Sequence, residues 1–138
     1  MIRFKARKRY FGSKAYLGAG RLGKIVKHSV VEDEMGLYEF FDAEDGQSKE
    51  TNSYFRNEIV VLDSVRFASI KNTIVAVAVV DGRTYVGYAV SNPNDETYDA
   101  VIGRKLALAR AMKDTDGIDE LMGYIGEKNE LETELDAE

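Results

Sequence analysis

The chain has 138 residues, 44% of them hydrophobic, enough for one domain with a core of its own and too few for two comfortable ones. No run approaches the ~20 apolar residues that span a membrane, and the absence of cysteine excludes disulfides and thiolate metal sites. The net charge of -5 is unevenly spread: residues 1–31 carry nine Lys or Arg and no carboxylate, while residues 114–138 carry ten Asp or Glu and one Lys, Lys128.

The overall sign argues against a nucleic-acid partner, and the basic front reopens the question. The simpler reading makes both ends solvated faces. Met1-Ile2-Arg3-Phe4-Lys5 is basic but lacks the apolar stretch of a signal peptide. With the missing cysteines, that points to a reducing cytoplasm.

Residues 2–11 mix charge and aromatics and read as an edge strand. Gly12, Gly18, Gly20 and Gly23 then mark a loop-rich segment. Gly18-Ala19-Gly20-Arg21-Leu22-Gly23 satisfies the GxGxxG string. A nucleotide loop would need a buried strand before it and a helix after it, and both flanks here look wrong, so a flexible loop is expected. A short strand follows at 24–31, and Glu32-Asp33-Glu34 reads as a turn. Residues 37–41 form the next strand, ended by Asp42-Ala43-Glu44-Asp45-Gly46, and polar residues 47–57 read as a loop. Ile59–Leu62 is a short β-branched strand.

Thr73–Val80 and Arg83–Val90 are rich in valines and aromatics, and Asp81-Gly82 between them supplies a type I′ turn. They form a β-hairpin. Gly87 inside the second strand marks a bulge or a close backbone approach. Pro93, the sole proline, sits in Ser91-Asn92-Pro93-Asn94-Asp95. A helix follows to about Lys113, with Asn94, Asp95 or Thr97 as its N-cap. Tyr98, Val101, Ile102, Leu106, Ala109 and Met112 make its apolar stripe. A short last helix covers 117–125. The fold class is therefore α+β: an antiparallel sheet with a central β-hairpin, a long amphipathic helix and a short C-terminal helix. Residues 1–125 make one domain, and 126–138 an acidic, mobile tail.

Catalytic inventory is thin. His28, the only histidine, lies in a strand-like run and reads as a surface or structural side chain. No carboxylates stand in a recognisable acid/base pair or calcium loop, and no P-loop is present. A protein that is not an enzyme, with no cofactor and no metal, is expected.

Binding groups are better represented. Arg110 lies about 40° around the helix from Leu106, at the edge of the apolar stripe. A partly desolvated guanidinium needs a carboxylate, which Asp95 or Asp99 could supply, or a phosphate. Arg104 points about 160° away from Ile102, toward solvent or a subunit contact. Asn92 donates and accepts at once, which suits either the turn or a nucleobase or ribose edge. Tyr85 and Tyr88 lie on opposite strand faces, so one belongs to the core and the other is placed to stack on a base or a partner.

The hairpin, the Asn92-Pro93-Asn94-Asp95 elbow and the helix Gly103-Arg104-Lys105-Leu106-Ala107-Leu108-Ala109-Arg110-Ala111 resemble a pattern found in small bacteriophage proteins. With the chain length and basic front, the segment resembles the first type of Thoeris anti-defence family, over about a third of the chain. A related strand–strand–helix ending occurs in domains that resemble double-stranded-RNA-binding domains. The Thoeris resemblance implies a viral sponge that captures cyclic ADP-ribose isomers, or cyclic oligonucleotides, in the host cell cytoplasm without cleaving them. It also implies a homo-oligomer with ligand pockets between subunits. Asn92 and Arg110 are the residues it marks as ligand contacts. Two other readings stand beside it: a nucleic-acid-binding module, and an inhibitor whose acidic end imitates nucleic acid.

Overall fold

A computed structural model describes residues 10–90 and 100–123. These residues form eight strands: β1 (Lys14–Tyr16), β2 (Leu22–Asp33), β3 (Gly36–Asp45), β4 (Thr51–Phe55), β5 (Val60–Leu62), β6 (Ser64–Ile70), β7 (Thr73–Val80) and β8 (Arg83–Val90). A helix over Ala100–Ala111 and a shorter one over 115–123 follow. The class is mixed α+β with antiparallel sheets, as the sequence patterning implies.

The strands divide into two sheets, one ordered β4-β3-β2-β1-β5 and one ordered β6-β7-β8. All neighbours pair antiparallel. Asp63 alone separates β5 from β6, so one stretch of chain leaves the edge of the first sheet and enters the second. Its backbone N–H donates to the Val79 carbonyl at 2.7 Å, which fixes the bend to β7.

Alternation along β1 and β5 builds two cores at once. Tyr16, Val60 and Leu62 face a core made with β7, β8 and the long helix. Ala15, Leu17, Ile59 and Val61 face a second core around Ile25, Phe41 and Ala43. Successive strand residues point to opposite faces, so two short strands serve both sides.

The hairpin Thr73–Val90 forms as expected, with Asp81 and Gly82 at φ 50° and 78°. Gly87 marks a close backbone approach. A Cβ there would collide with the Ala107 carbonyl and the Ala111 amide. On another side of the same helix, a Cβ on Gly20 would collide with the Lys105 backbone. The helix is thus gripped by a strand and a loop. That explains why Gly103, Ala107, Leu108 and Ala111 are buried as well as Leu106 and Ala109. The small residues serve this contact, and the buried surface is wider than one stripe. Tyr98 and the elbow at 91–99 lie outside the described residues.

Several expectations are corrected. The segment around Gly18 is a hairpin loop between β1 and β2, held by hydrogen bonds from Arg21 N–H to the Gly18 carbonyl and from Leu17 N–H to the Arg21 carbonyl. β2 extends from Leu22 to Asp33, beyond the expected 24–31, and Glu34-Met35 make the turn. The acidic run at 42–45 continues β3, because Phe41, Ala43 and Asp45 alternate into the buried face. Residues 51–55 form an edge strand, mostly exposed and polar, which suits an edge. β6 was not anticipated. Residues 10 and 11 do not continue an edge strand, and 1–9 lie outside the described residues.

Candidate functional site

A cleft of about 860 Å³ lies where β5 bends into β6. Lys14, Arg56 and Arg66 line it, with Asp63, Asp81 and the ring of Tyr10. β1 presents Lys14, β6 presents Arg66, and the 3-10 turn after β4 presents Arg56. Asp63 is partly committed, since it accepts the Gly82 N–H at 3.0 Å.

A polar cluster braces one wall. Glu39 Oε1 accepts from His28 Nε2 at 2.8 Å and from an Arg56 guanidinium nitrogen at 3.1 Å. The same Arg56 nitrogen donates to the Tyr10 hydroxyl at 3.3 Å. The Tyr10 hydrogen bond, with the Glu39 charge behind it, holds the Arg56 pKa above its ordinary value against the opposing effect of burial. The His28 ring stacks on Phe41 at 4.7 Å, and Tyr10 meets both rings edge-on. An ionised carboxylate only accepts, so Nε2 carries the hydrogen of this bond, and the buried Nδ1 has no hydrogen-bond partner among the described residues. His28 is therefore a structural side chain that fixes Glu39, which in turn aims Arg56. The Arg56 side chain is 60% exposed, which leaves most of its donor fork open to the cleft.

Of the residues singled out in the sequence, the described ones, Arg110, Arg104, Tyr85 and Tyr88, do not line this cleft. Arg110 donates to the Tyr88 carbonyl at 2.9 Å and is exposed. Its partner among the described residues is the backbone of edge strand β8. Tyr85 packs against the core, and Tyr88 is 60% exposed on the opposite face. Arg104 is exposed and borders a separate hollow of about 190 Å³ with Arg21, Asp45 and Lys105. Six helix positions separate the two arginines, about 120° around the axis. Asn92, with Asp95 and Asp99, lies outside the described residues.

The glycine-rich loop has a different use from the expected flexible connection. Gly18, Ala19 and Gly20 all have positive φ, at 92°, 50° and 73°. The Ala19 and Gly20 amides of this turn are used inside the fold, and the anion that one of them meets is the chain's own. Asp114 Oδ2 accepts from Ala19 N–H at 3.0 Å and from the Tyr16 hydroxyl at 2.6 Å. Gly20 N–H donates to that hydroxyl at 3.0 Å. Asp114 Oδ1 accepts from Gly117 N–H at 3.0 Å and so caps the helix at 115–123. Burial alone would raise the Asp114 pKa, but these three hydrogen bonds outweigh it and hold the carboxyl below its ordinary value. Burial, then the bond to Asp114, pushes the Tyr16 phenol well up.

Sequence reasoning missed the cleft set. Lys14 and Tyr10 were submerged in the basic front, and Arg56 in a stretch read as loop. Arg66 belonged to a strand not anticipated. No local motif unites them, because the bend at Asp63 creates the cleft. Among the described residues no group of His, Asp or Glu could hold a metal ion, and no helix is long and apolar enough to cross a membrane. No family model, curated protein or solved structure matches the chain.

Proposed function

We propose that this protein is a non-catalytic binder of a phosphate-bearing small molecule, a viral sponge that sequesters a cyclic nucleotide signal in the host cytoplasm. The cleft at the β5–β6 bend carries this reading. Its volume lies within the ~300–1,000 Å³ range of small-molecule sites. Lys14, Arg56 and Arg66 supply charge-assisted donors for phosphate oxygens. Tyr10, already beneath a guanidinium at 5.8 Å, supplies an aromatic surface beside them. Asp63 and Asp81 at the other side suit hydroxyl or amine donors on a ribose or base. The resemblance of the hairpin, elbow and helix to phage anti-defence proteins points the same way.

Isothermal titration with cyclic ADP-ribose isomers tests the reading. Binding near one equivalent per site is expected, with intact ligand recovered after denaturation. Arg66→Glu and Lys14→Glu should each weaken binding about tenfold or more. Arg110→Ala compares the elbow with the cleft. A larger loss there would move the site to the helix, and cleavage products would overturn the proposal. A nucleic-acid module has less support, because the outer face of the three-stranded sheet carries valines where a phosphate backbone would need cations.

A further inference from the structure

The three-stranded sheet has one face against the long helix and one face open. Ser64, Arg66, Ala68 and Ile70 of β6, Thr73, Val75, Val77 and Val79 of β7, and Thr84, Val86, Tyr88 and Val90 of β8 share the open face. Ile70, Val86, Tyr88 and Val90 are 58–64% exposed. Among the described residues Arg66 is the only charged one on that face. A continuous apolar face of this kind marks an interaction surface. We infer that it is the interface through which two copies of this chain pack face to face.

Self-complementarity favours a second copy over another partner. In the pairing register, Ala68, Val75 and Tyr88 form one row across the sheet, and Arg66, Val77 and Val86 form the next. A two-fold axis parallel to the strands, running above β7 midway between the two sheets, lays β6 of one copy over β8 of the other. Tyr88 then meets Ala68 of the partner subunit, large against small. Ile70 meets Val90 of the partner subunit in the same way. Each Arg66 lies over a valine, so the two guanidiniums do not oppose each other. The arrangement is isologous and closes at two copies.

Area bounds the size of the contact. Three strands about 4.8 Å apart and eight residues rising about 3.4 Å each cover roughly 400 Å² in projection. Two copies bury roughly 800 Å² by this measure, and side-chain relief raises the accessible area above it. That places the contact near the lower end of specific interfaces, around 1,000 Å². The dimer forms by mass action and depends on concentration. Arg66 also lines the cleft, so the partner's β8 would stand beside the cleft mouth and narrow it.

Sedimentation velocity of the full chain, without ligand, tests this from low micromolar to several hundred micromolar. A monomer–dimer equilibrium is expected for the natural sequence. Tyr88→Lys and Val86→Lys should each weaken it about tenfold or more while circular dichroism and melting stay unchanged. Met35→Lys, at the exposed tip of the β2–β3 hairpin, should leave it intact. A monomer at every concentration overturns the inference. So does a dimer that survives both sheet-face substitutions, or one lost only with Met35→Lys. Because no ligand is present, failure here is separate from failure of the sponge reading.

Discussion

Asp114 shows how one side chain can join parts of the chain that sequence distance keeps apart. It accepts the Ala19 amide of the Gly18–Gly20 loop, receives the Tyr16 hydroxyl, and caps the following helix. Asp114→Ala removes a cap and strands a buried phenol, so a loss of about 1–3 kcal/mol is expected in urea titration at neutral pH. The pH dependence has a definite direction. The Asp114 pKa is lower in the folded chain than its ordinary 3.8. Its contribution is present above that value and is lost as pH falls below it. The Tyr16 pKa is raised from 10.0, so its contribution holds below pH 10 and fades as pH rises further. The stability gap between the natural chain and Asp114→Ala should narrow toward low pH. The gap to Tyr16→Phe should narrow at high pH. A gap constant with pH in either series would contradict the assignment.

At the same scale, one sequence reading changed meaning. The GxGxxG string does hold an anion, but the anion is the chain's own carboxylate. Arg110 was expected to need a carboxylate or a phosphate. Among the described residues it bonds to the Tyr88 carbonyl, a backbone acceptor on an edge strand, while Asp95 and Asp99 lie outside them.

Among the elements, the long helix and β8 are fitted backbone to backbone. Gly87 is the point of contact, with the Ala107 carbonyl and the Ala111 amide directly over it. Gly87→Ala should therefore destabilise the fold by about 1–3 kcal/mol, because neither backbone can retreat without lifting the helix from the sheet. Chemical denaturation would measure it. Ala at this position without loss would mean the helix lies farther away. The glycine was conspicuous in a strand of valines and aromatics, which made a close approach legible. Which helix residues it met was not legible, since periodicity identifies one apolar stripe and this helix is gripped on more than one side.

The strand stretches missed at 14–16, 42–45 and 51–55 share a cause. β3 runs through an acidic stretch whose buried members are Ala43 and Asp45, and β4 is a polar edge. β1 has three residues inside a glycine-rich segment. In each case tertiary partners stabilise a strand that its own composition does not advertise.

Across the whole molecule, β1 and β5 contribute alternate residues to two cores, so neither core can open without exposing the other. Unfolding should be a single cooperative transition. Far-UV dichroism and tyrosine fluorescence should give coincident denaturation curves, and two separated transitions would show that the cores fold independently.

The sequence by itself determined the local features: the α+β class, the Asp81-Gly82 hairpin, the helix after it and the special position of Gly87. Turn chemistry, β-branched content and helical spacing act over a few residues, and they can be read from a single chain. Tertiary structure alone decided the division into two sheets, the cleft at Asp63, the company kept by Lys14, Arg56 and Arg66, and the open apolar face. Those depend on where distant segments bend and meet, and nearest-neighbour chemistry does not encode such meetings in any one stretch.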